Sequence, residues 1–331
     1  MDKKIDLVIT WVNGDDPKWL KERDKHRTKD LSKDSIGNNR FRDWSTLKYW
    51  FRSIEENADF VRDIYFVTWG HLPEWLNTNH PNLKIVNHSD FIPKEYLPTY
   101  NSVAIELNFH RIPGLGKQFI YFNDDFILLQ KTTLADYFGK NDKIKYNFIE
   151  SAMAISGDLD PTFRQMLINT NDIVNRHFKK QRLKEITFKD PISLYNNLKA
   201  FFKPTYVGYA PHHFSRVYDQ SSYYWLWQNE KSAAEATCKS KFRSDKIITP
   251  DILELVQYHH GQTQYYNSSK REKLFDVNKQ TIDEVCSAIT NRKYKEICFN
   301  DLCDDKDFEE VRDKLITAFE QIYPNKSKYE V

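Results

Sequence analysis

The sequence predicts an α/β protein: a mainly parallel central sheet flanked by helices, with a mostly helical insertion. Three observations carry this expectation. Short apolar runs rich in β-branched and aromatic residues recur at 5–12, 64–68, 83–86 and 119–122, and turn residues bound them. Segments with apolar residues at helical spacing lie between these runs, the alternation that a parallel sheet with crossover helices requires. After residue 150 helix-opening signals dominate, until an apolar run at 294–299 returns to strand character. The expected division is an α/β core at 1–150, a mostly helical part at 151–290, and a strand and helix at 291–331 that rejoin the core.

The elements follow in order. The first strand, 5–12, ends in Asn13-Gly14-Asp15-Asp16-Pro17, a strong turn signal. Residues 18–40 are polar and charged and read as a mobile excursion. Asp43 reads as the N-cap of an amphipathic helix that carries Leu47, Trp50, Phe51, Ile54 and Ala58 on one face. After the strand at 64–68 a short helix is expected near 73–76. The strand at 83–86 leads to His88 and Asp90. A helix is expected over 101–112, stopped by Pro113-Gly114, with Glu106 and His110 four residues apart on one face.

Asp160-Pro161 and Asp190-Pro191 each place an N-cap before a proline at the first helical position, and Thr249-Pro250 is similar. Thr281-Ile282-Asp283-Glu284 reads as a capping box. The closing helix aligns Phe308, Val311, Leu315, Phe319 and Ile322.

Bulk composition narrows the function classes. The 331 residues carry 49 basic and 47 acidic side chains, a net charge of only +2, so no concentrated basic balance points to nucleic acid. Forty per cent of residues are hydrophobic, enough for a large core, and no apolar segment is long enough to span a bilayer. The apolar run near the N-terminus is too short for a signal peptide. Cys238, Cys286, Cys298 and Cys303 show no Cys-x-x-Cys spacing, and no His-x-x-x-His completes a local zinc signature. So few cysteines suit a reducing cytoplasm. A cytoplasmic protein is expected, at most peripherally associated with a membrane.

Candidate chemistry gathers at the strand ends. Asn123-Asp124-Asp125 follows the run at 119–122 and has two readings: a turn stabilised by its own side chains, or a cation site at the carboxyl end of a sheet strand. Asn13 to Asp16 and Asn300-Asp301 are polar clusters at two further strand ends. Gly114-Leu115-Gly116-Lys117 follows a helix and precedes a strand, the wrong order for a phosphate loop, and reads as a helix stop. His212 and His213, in Tyr209-Ala210-Pro211-His212-His213-Phe214, fit either packed or exposed positions in an aromatic loop or a catalytic role. Arg243 reads as a surface charge on its own, and His259-His260 complement a helix end.

Four blocks in order resemble the Stealth proteins, bacterial capsular and exopolysaccharide phosphotransferases with lysosomal-enzyme GlcNAc-1-phosphotransferase as a distant relative. The first runs from Ile5 through Trp11-Val12-Asn13-Gly14-Asp15-Asp16-Pro17. The second includes Arg40-Phe41-Arg42-Asp43, Phe51-Arg52-Ser53-Ile54-Glu55, Leu97-Pro98-Thr99-Tyr100-Asn101-Ser102, Glu106, His110-Arg111-Ile112-Pro113-Gly114 and the run 119–126. The third is Ala210-Pro211-His212-His213-Phe214 with Phe242-Arg243-Ser244 downstream. The fourth is Ile297-Cys298-Phe299-Asn300-Asp301. Two stretches depart from the family pattern: Trp44-Ser45-Thr46-Leu47-Lys48-Tyr49-Trp50 replaces a Glu-Leu-Arg-Tyr-Ser-Leu run, and Trp69-Gly70-His71 replaces a Thr-Asp/Asn-Gly-Gln-like loop.

The resemblance implies a Rossmann-like, glycosyltransferase-like nucleotide-sugar fold. It implies transfer of a sugar 1-phosphate from a UDP-sugar (a UDP-N-acetylhexosamine or UDP-hexose) to a glycan hydroxyl, with UMP released. The acceptor would be lipid-linked, at the inner face of the cell membrane. By the same resemblance His212, Asp125 and Arg243 are catalytic, and Asp124, Asp125 and Asp301 hold Mg²⁺ or Mn²⁺. Trp11, Asn13, Asp15, Arg42, Asn101, Ser102, Glu106 and Arg111 contact the donor. Two alternatives stand beside this reading: a metal-dependent glycosyltransferase that releases UDP, and a non-catalytic carbohydrate-binding protein.

Overall fold

The computed structural model describes residues 3–27, 41–147, 150, 160–181, 194, 198, 200–209, 213–268 and 271–331. With single-turn helices between them, its main elements run in the order β1 (Ile5–Trp11), α1 (Pro17–Lys25), α2 (Leu47–Asn57), β2 (Val61–Thr68), β3 (Leu83–Asn87), α3 (Ser102–Glu106), β4 (Gln118–Asn123), β5 (Phe126–Leu128), β6 (Ile144–Tyr146) and α4 (Pro161–His177). They continue with β7 (Arg216–Asp219), α5 (Gln220–Asn229), α6 (Lys231–Lys239), α7 (Asp251–His259), β8 (Thr263–Tyr265), β9 (Glu272–Val277), α8 (Ile282–Thr290), β10 (Glu296–Asp301) and α9 (Phe308–Ile322).

The expected mainly parallel sheet is present. Its order is β3-β2-β1-β4-β7, with the first four strands parallel and β7 antiparallel at the edge. Alternation places Leu7, Ile9, Ile120 and Phe122 on one face and Val8, Phe119 and Tyr121 on the other. Helices α2, α8 and α9 cover the first face, and α4, α5 and α7 cover the second. Burial on both faces explains why these strands read as continuous apolar runs. Along the chain the strands step from β1 outward through β2 to β3, then return to the other side of β1 as β4. That reversal between β1 and β4 is a topological switch point, where open α/β sheets bind ligands. A second sheet, ordered β5-β10-β9, packs into the same core as the first face, and β6 pairs with β8.

Several local expectations change. The polar stretch after Asp16 begins as helix α1, because the Asp16 side chain accepts from the backbone N–H of Lys18 and Trp19 and Pro17 occupies the first turn. Trp19 then anchors the helix in an aromatic cluster with Phe41, Tyr100 and Phe242. Helix α2 starts at Leu47 with Thr46 as its N-cap residue; Asp43 instead accepts from the Ser45 N–H. Near 73–76 there is a turn rather than a helix, and Leu76 bridges to Glu330 in the chain's last residues. The expected helix at 101–112 breaks into α3 and a 3-10 turn, Phe109–Arg111, as the buried Asn108 side chain donates to the Ala104 carbonyl.

Asp160 caps α4 as expected. Asp190 and Pro191 lie outside the described residues. Helix α7 begins one residue beyond Pro250. Thr281 forms no capping bond; its hydroxyl donates to the Asp276 carbonyl. The mostly helical stretch at 151–290 also contributes β7 to the large sheet and β9 to the second.

Candidate active site

The parallel strands end level with one another. Thr10 lies opposite both Asn123 and Val67, and Thr68 lies opposite Asn87, so the loops that follow them open on one edge of the sheet. At the switch point the two flanking loops are Asn13 to Asp16 after β1 and the two-residue turn Asp124-Asp125 after β4. That turn carries the chain from the large sheet directly into β5 of the second sheet. Strand β10 runs antiparallel to β5, with Cys298 opposite Phe126, so its carboxyl end also points to this edge. The three polar strand ends that the sequence marked therefore meet.

The turn is held from both sides. The Tyr121 hydroxyl accepts from Thr10 Oγ1 at 3.0 Å and donates to Asn123 Oδ1. The Asp125 carbonyl accepts from the Phe299 N–H at 3.3 Å. Burial pushes both carboxyls well above the ordinary range; Asp125 and Asp43 add repulsion at Asp124, and the Cys298 thiol partly offsets the push at Asp125. Asp43 is raised by its own burial and by Asp15. Among the described residues Asp125 Oδ1 is buried and meets no hydrogen-bond donor. An orphaned buried oxygen beside a second carboxyl held up toward neutrality fits a divalent cation, and oxygen donors of this kind suit Mg²⁺ or Mn²⁺.

On the β1 side, the Asn13 N–H donates to His71 Nε2 at 2.8 Å, and His71 Nδ1 lies 3.4 Å from Asp16 Oδ2. Burial lowers the His71 pKa, so the ring is neutral and joins the loops after β1 and β2. The Asp15 N–H donates to Asn13 Oδ1 at 3.0 Å. Trp11, 7% exposed, packs edge-on to His71 at 5.3 Å and forms a wall rather than an open stacking platform.

Asp301, expected as an ion ligand, is held in an ion pair. Its carboxylate accepts from Arg42 Nε at 3.0 Å, from Arg42 Nη2 at 2.7 Å and from Trp44 Nε1 at 3.1 Å. Both partners of the ion pair are nearly buried, and Arg42 also reaches the Cys303 carbonyl and stacks on Phe308 at 4.0 Å. The pair thus locks the end of β10 to the segment that carries Asp43.

A further group forms behind the turn. Arg243 Nη2 donates to Ser102 Oγ at 2.9 Å, and the Tyr218 hydroxyl donates to Glu106 Oε2 at 3.2 Å. Glu106 is buried, which raises its pKa to about 7 against the pull of Arg216 and Arg243. Tyr121 bonds Asn123 and stacks on Tyr218, whose hydroxyl reaches Glu106, and so links the two groups. Asn101 is fully buried; it caps α3 and donates to the Thr237 and Ser240 carbonyls. Arg111 stacks on Trp227 at 4.8 Å and is not drawn into either group.

His212 lies outside the described residues. Its neighbour His213 places Nε2 4.0 Å from Asp125 Oδ2, with its ring edge-on to Phe126. Cys298 directs its thiol at the same oxygen, 3.5 Å away. Glu296, fully buried in β10, accepts from Ser215 two residues beyond His213. Asp43, Cys298 and Glu296 were missed as site residues. Asp43 and Cys298 lay within the matching blocks but carried no assigned role, and Cys298 and Glu296 reach this edge through a strand pairing that no local spacing announces.

Comparison with known proteins matches the first two of the four blocks to family models. The model of Stealth protein CR1, conserved region 1, matches residues 3–30, and that of Stealth protein CR2, conserved region 2, matches residues 40–146. The chain is 35% identical over 339 residues to a capsular polysaccharide phosphotransferase, WcwK, of Streptococcus pneumoniae, with all of both chains covered. It is 32% identical to the receptor polysaccharide phosphotransferase WefC of Streptococcus oralis over 99% of each chain. It is 43% identical to the capsular polysaccharide phosphotransferase CpsJ of Streptococcus thermophilus over 56% of this chain and 77% of that one.

Proposed function

The chain belongs to the Stealth family, and on that premise we propose that it is a polysaccharide phosphotransferase that moves a sugar 1-phosphate from a UDP-sugar to a glycan hydroxyl. The observation that carries the reading is the half-buried Asp124-Asp125 turn at the β1/β4 switch point, with a buried, orphaned carboxylate oxygen and His213 beside it.

In this reading the acceptor oxygen forms a new bond to the phosphorus that bears the sugar. The bond from that phosphorus to the bridging oxygen breaks, and UMP leaves with the electron pair. The sugar's own C1–O bond is untouched, so its anomeric configuration is kept. Asp124 and Asp125 would hold Mg²⁺ or Mn²⁺, which when bound neutralises pyrophosphate charge. A histidine of the 212–213 pair takes the hydroxyl proton. Arg243, steadied by Ser102, spreads the charge that develops on the phosphoryl oxygens. The loops joined by His71 receive the nucleotide end of the donor. Asp301, paired with Arg42, acts by fixing the wall of the site.

Among the described residues no helix is long and apolar enough to cross a membrane. The polysaccharide-directed names of the relatives support a glycan acceptor; that this acceptor is lipid-linked and met at the inner membrane face is our proposal from the family resemblance.

The test is incubation of the protein with UDP-sugars, acceptor glycan and Mg²⁺, with the released nucleotide identified by chromatography. UMP is expected; UDP would identify a glycosyltransferase instead. No nucleotide release, with acceptor binding indifferent to EDTA, would leave only a carbohydrate-binding protein.

A further inference from the structure

We propose that Asp125, His213 and Cys298 form a binding site for a borderline-soft cation of the Zn²⁺ type, separate in donor chemistry from the oxygen-lined position of Asp124 and Asp125. One ligand atom from each of the three residues lies within 4.8 Å of the others. Asp125 Oδ2 is 3.5 Å from Cys298 Sγ and 4.0 Å from His213 Nε2. Zinc bonds of about 2.0 to 2.3 Å in a tetrahedron separate their ligand atoms by roughly 3.3 to 3.8 Å. The observed spacings are already close to that, and small side-chain rotations close the rest.

The framework around the three groups is rigid. Cys298 is the register partner of Phe126, and the Asp125 carbonyl is bonded to the next residue of β10, Phe299. His213 rests on the Phe126 ring, and Ser215, two residues on, is tied to Glu296. All three ligands therefore ride on two paired strands and the loop anchored to them.

The donor set decides the kind of ion. Thiolate sulfur and imidazole nitrogen select zinc or cobalt, whereas Mg²⁺ takes oxygen ligands. No local Cys/His spacing announced such a site; the strand pairing makes it, across 173 residues between Asp125 and Cys298. The His213 side chain is 50% exposed, so ions can reach the group and solvent can fill the fourth position. Binding would put the Cys298 thiolate on the ion and release the thiol proton to water. Because Asp125 belongs to both positions, a thiophilic ion would displace Mg²⁺ or Mn²⁺ and take His213 out of use.

The experiment needs no turnover. Metal-stripped full-length protein is titrated with Co²⁺ and its absorption recorded. Sulfur ligation gives a thiolate-to-cobalt charge-transfer band in the near ultraviolet with intense tetrahedral visible bands; Zn²⁺ should abolish both and excess Mg²⁺ should leave them. Cys298→Ser should lose the charge-transfer band, His213→Gln should weaken Co²⁺ binding, and Asp124→Asn should keep the band. Circular dichroism checks the fold of Cys298→Ser, and the solvent-facing His213→Gln supplies an independent variant. A weak octahedral spectrum alone, a band that persists in Cys298→Ser, or Co²⁺ binding unchanged in His213→Gln would each overturn the proposal.

Discussion

Glu296 accepts two hydrogen bonds from Ser215, one from its backbone N–H at 2.7 Å and one from its hydroxyl at 2.6 Å. The Tyr137 hydroxyl meets the same Ser215 oxygen at 3.0 Å. A buried carboxyl on β10 thus holds Ser215, two residues beyond His213. Glu296→Ala should cost about 1–3 kcal/mol of stability through the buried donors left unmet. It should also lower kcat more than it raises KM for the UDP-sugar, because the chain at His213 loosens while the donor site stays whole. Urea denaturation and steady-state kinetics measure the two effects. Restoration of kcat by Glu296→Gln, which keeps an acceptor oxygen, would identify positioning rather than charge as its role; equal damage from both variants would count against this assignment.

The buried carboxyls make the cation-free protein sensitive to alkaline pH. Asp124 is pushed up to about 8, and Asp125, Glu106 and Glu296 to about 7, with burial the largest cause in each case. Between their ordinary values and these, the folded state binds more protons than the unfolded chain, so stability falls as pH rises. Burial holds His71, His88 and His110 below 6.5, so they act in the opposite direction at lower pH. The carboxyl effect should therefore stand clear above about pH 7. Without divalent cation the melting temperature should decline from about pH 7 to about pH 9. Mg²⁺ should flatten that decline, and Asp124→Asn should reduce it, both read by differential scanning fluorimetry.

Asp301 is paired with Arg42, and we propose that Asp125 holds the ion while Asp301 acts as a structural carboxylate. Its side chain and that of Arg42 are only 8% and 10% exposed. Removing one partner of a buried pair leaves the other uncompensated, so Asp301→Ala should destabilise by about 3–5 kcal/mol. The joint variant Arg42→Met/Asp301→Leu should recover part of that loss. Asp125→Ala should behave oppositely: little loss of stability, loss of the Mg²⁺-induced thermal shift, and a fall in turnover of at least ~10²-fold. Retention of the Mg²⁺ shift in Asp125→Ala together with its loss in Asp301→Ala would reverse the two assignments.

The proposed reaction gives the adjacent histidines separable roles. His213 stands 4.0 Å from Asp125. If His212 takes the acceptor proton, His212→Ala should lower kcat by about 10²–10⁴-fold with an unchanged far-ultraviolet circular dichroism spectrum. His213→Ala should then have the smaller effect on kcat and the larger effect on thiophilic-ion inhibition. Near-wild-type turnover in His212→Ala would transfer the proton to His213 or Asp125.

Much of the core was legible locally. The apolar runs that became β1 to β4 are buried on both faces, so their composition announced them without any partner being known. Asn123-Asp124-Asp125 was legible as a strand end whose carboxyls had either to turn or to meet a cation; the structure gives the turn and leaves one oxygen unmatched. The helix α1 was legible as well, since Asp16-Pro17 is the same signal that correctly opened α4 at Asp160-Pro161. There the polar surface of the following residues outweighed a cap that was already in view.

The tertiary structure decided who pairs with whom. Arg42 meets Asp301 across 259 residues, Leu76 bridges to Glu330, and Cys298 turns its thiol to Asp125. Strand and helix propensity act over a few residues through periodicity, capping and turn chemistry, so the sequence by itself determined the elements and their polar ends. The partner of Asp301, the protonation of Asp124 and the histidine that lies by Asp125 depend on which distant groups are brought together. No spacing along the chain encodes that; it emerges when β5 leaves the large sheet at residue 126 and β10 pairs beside it.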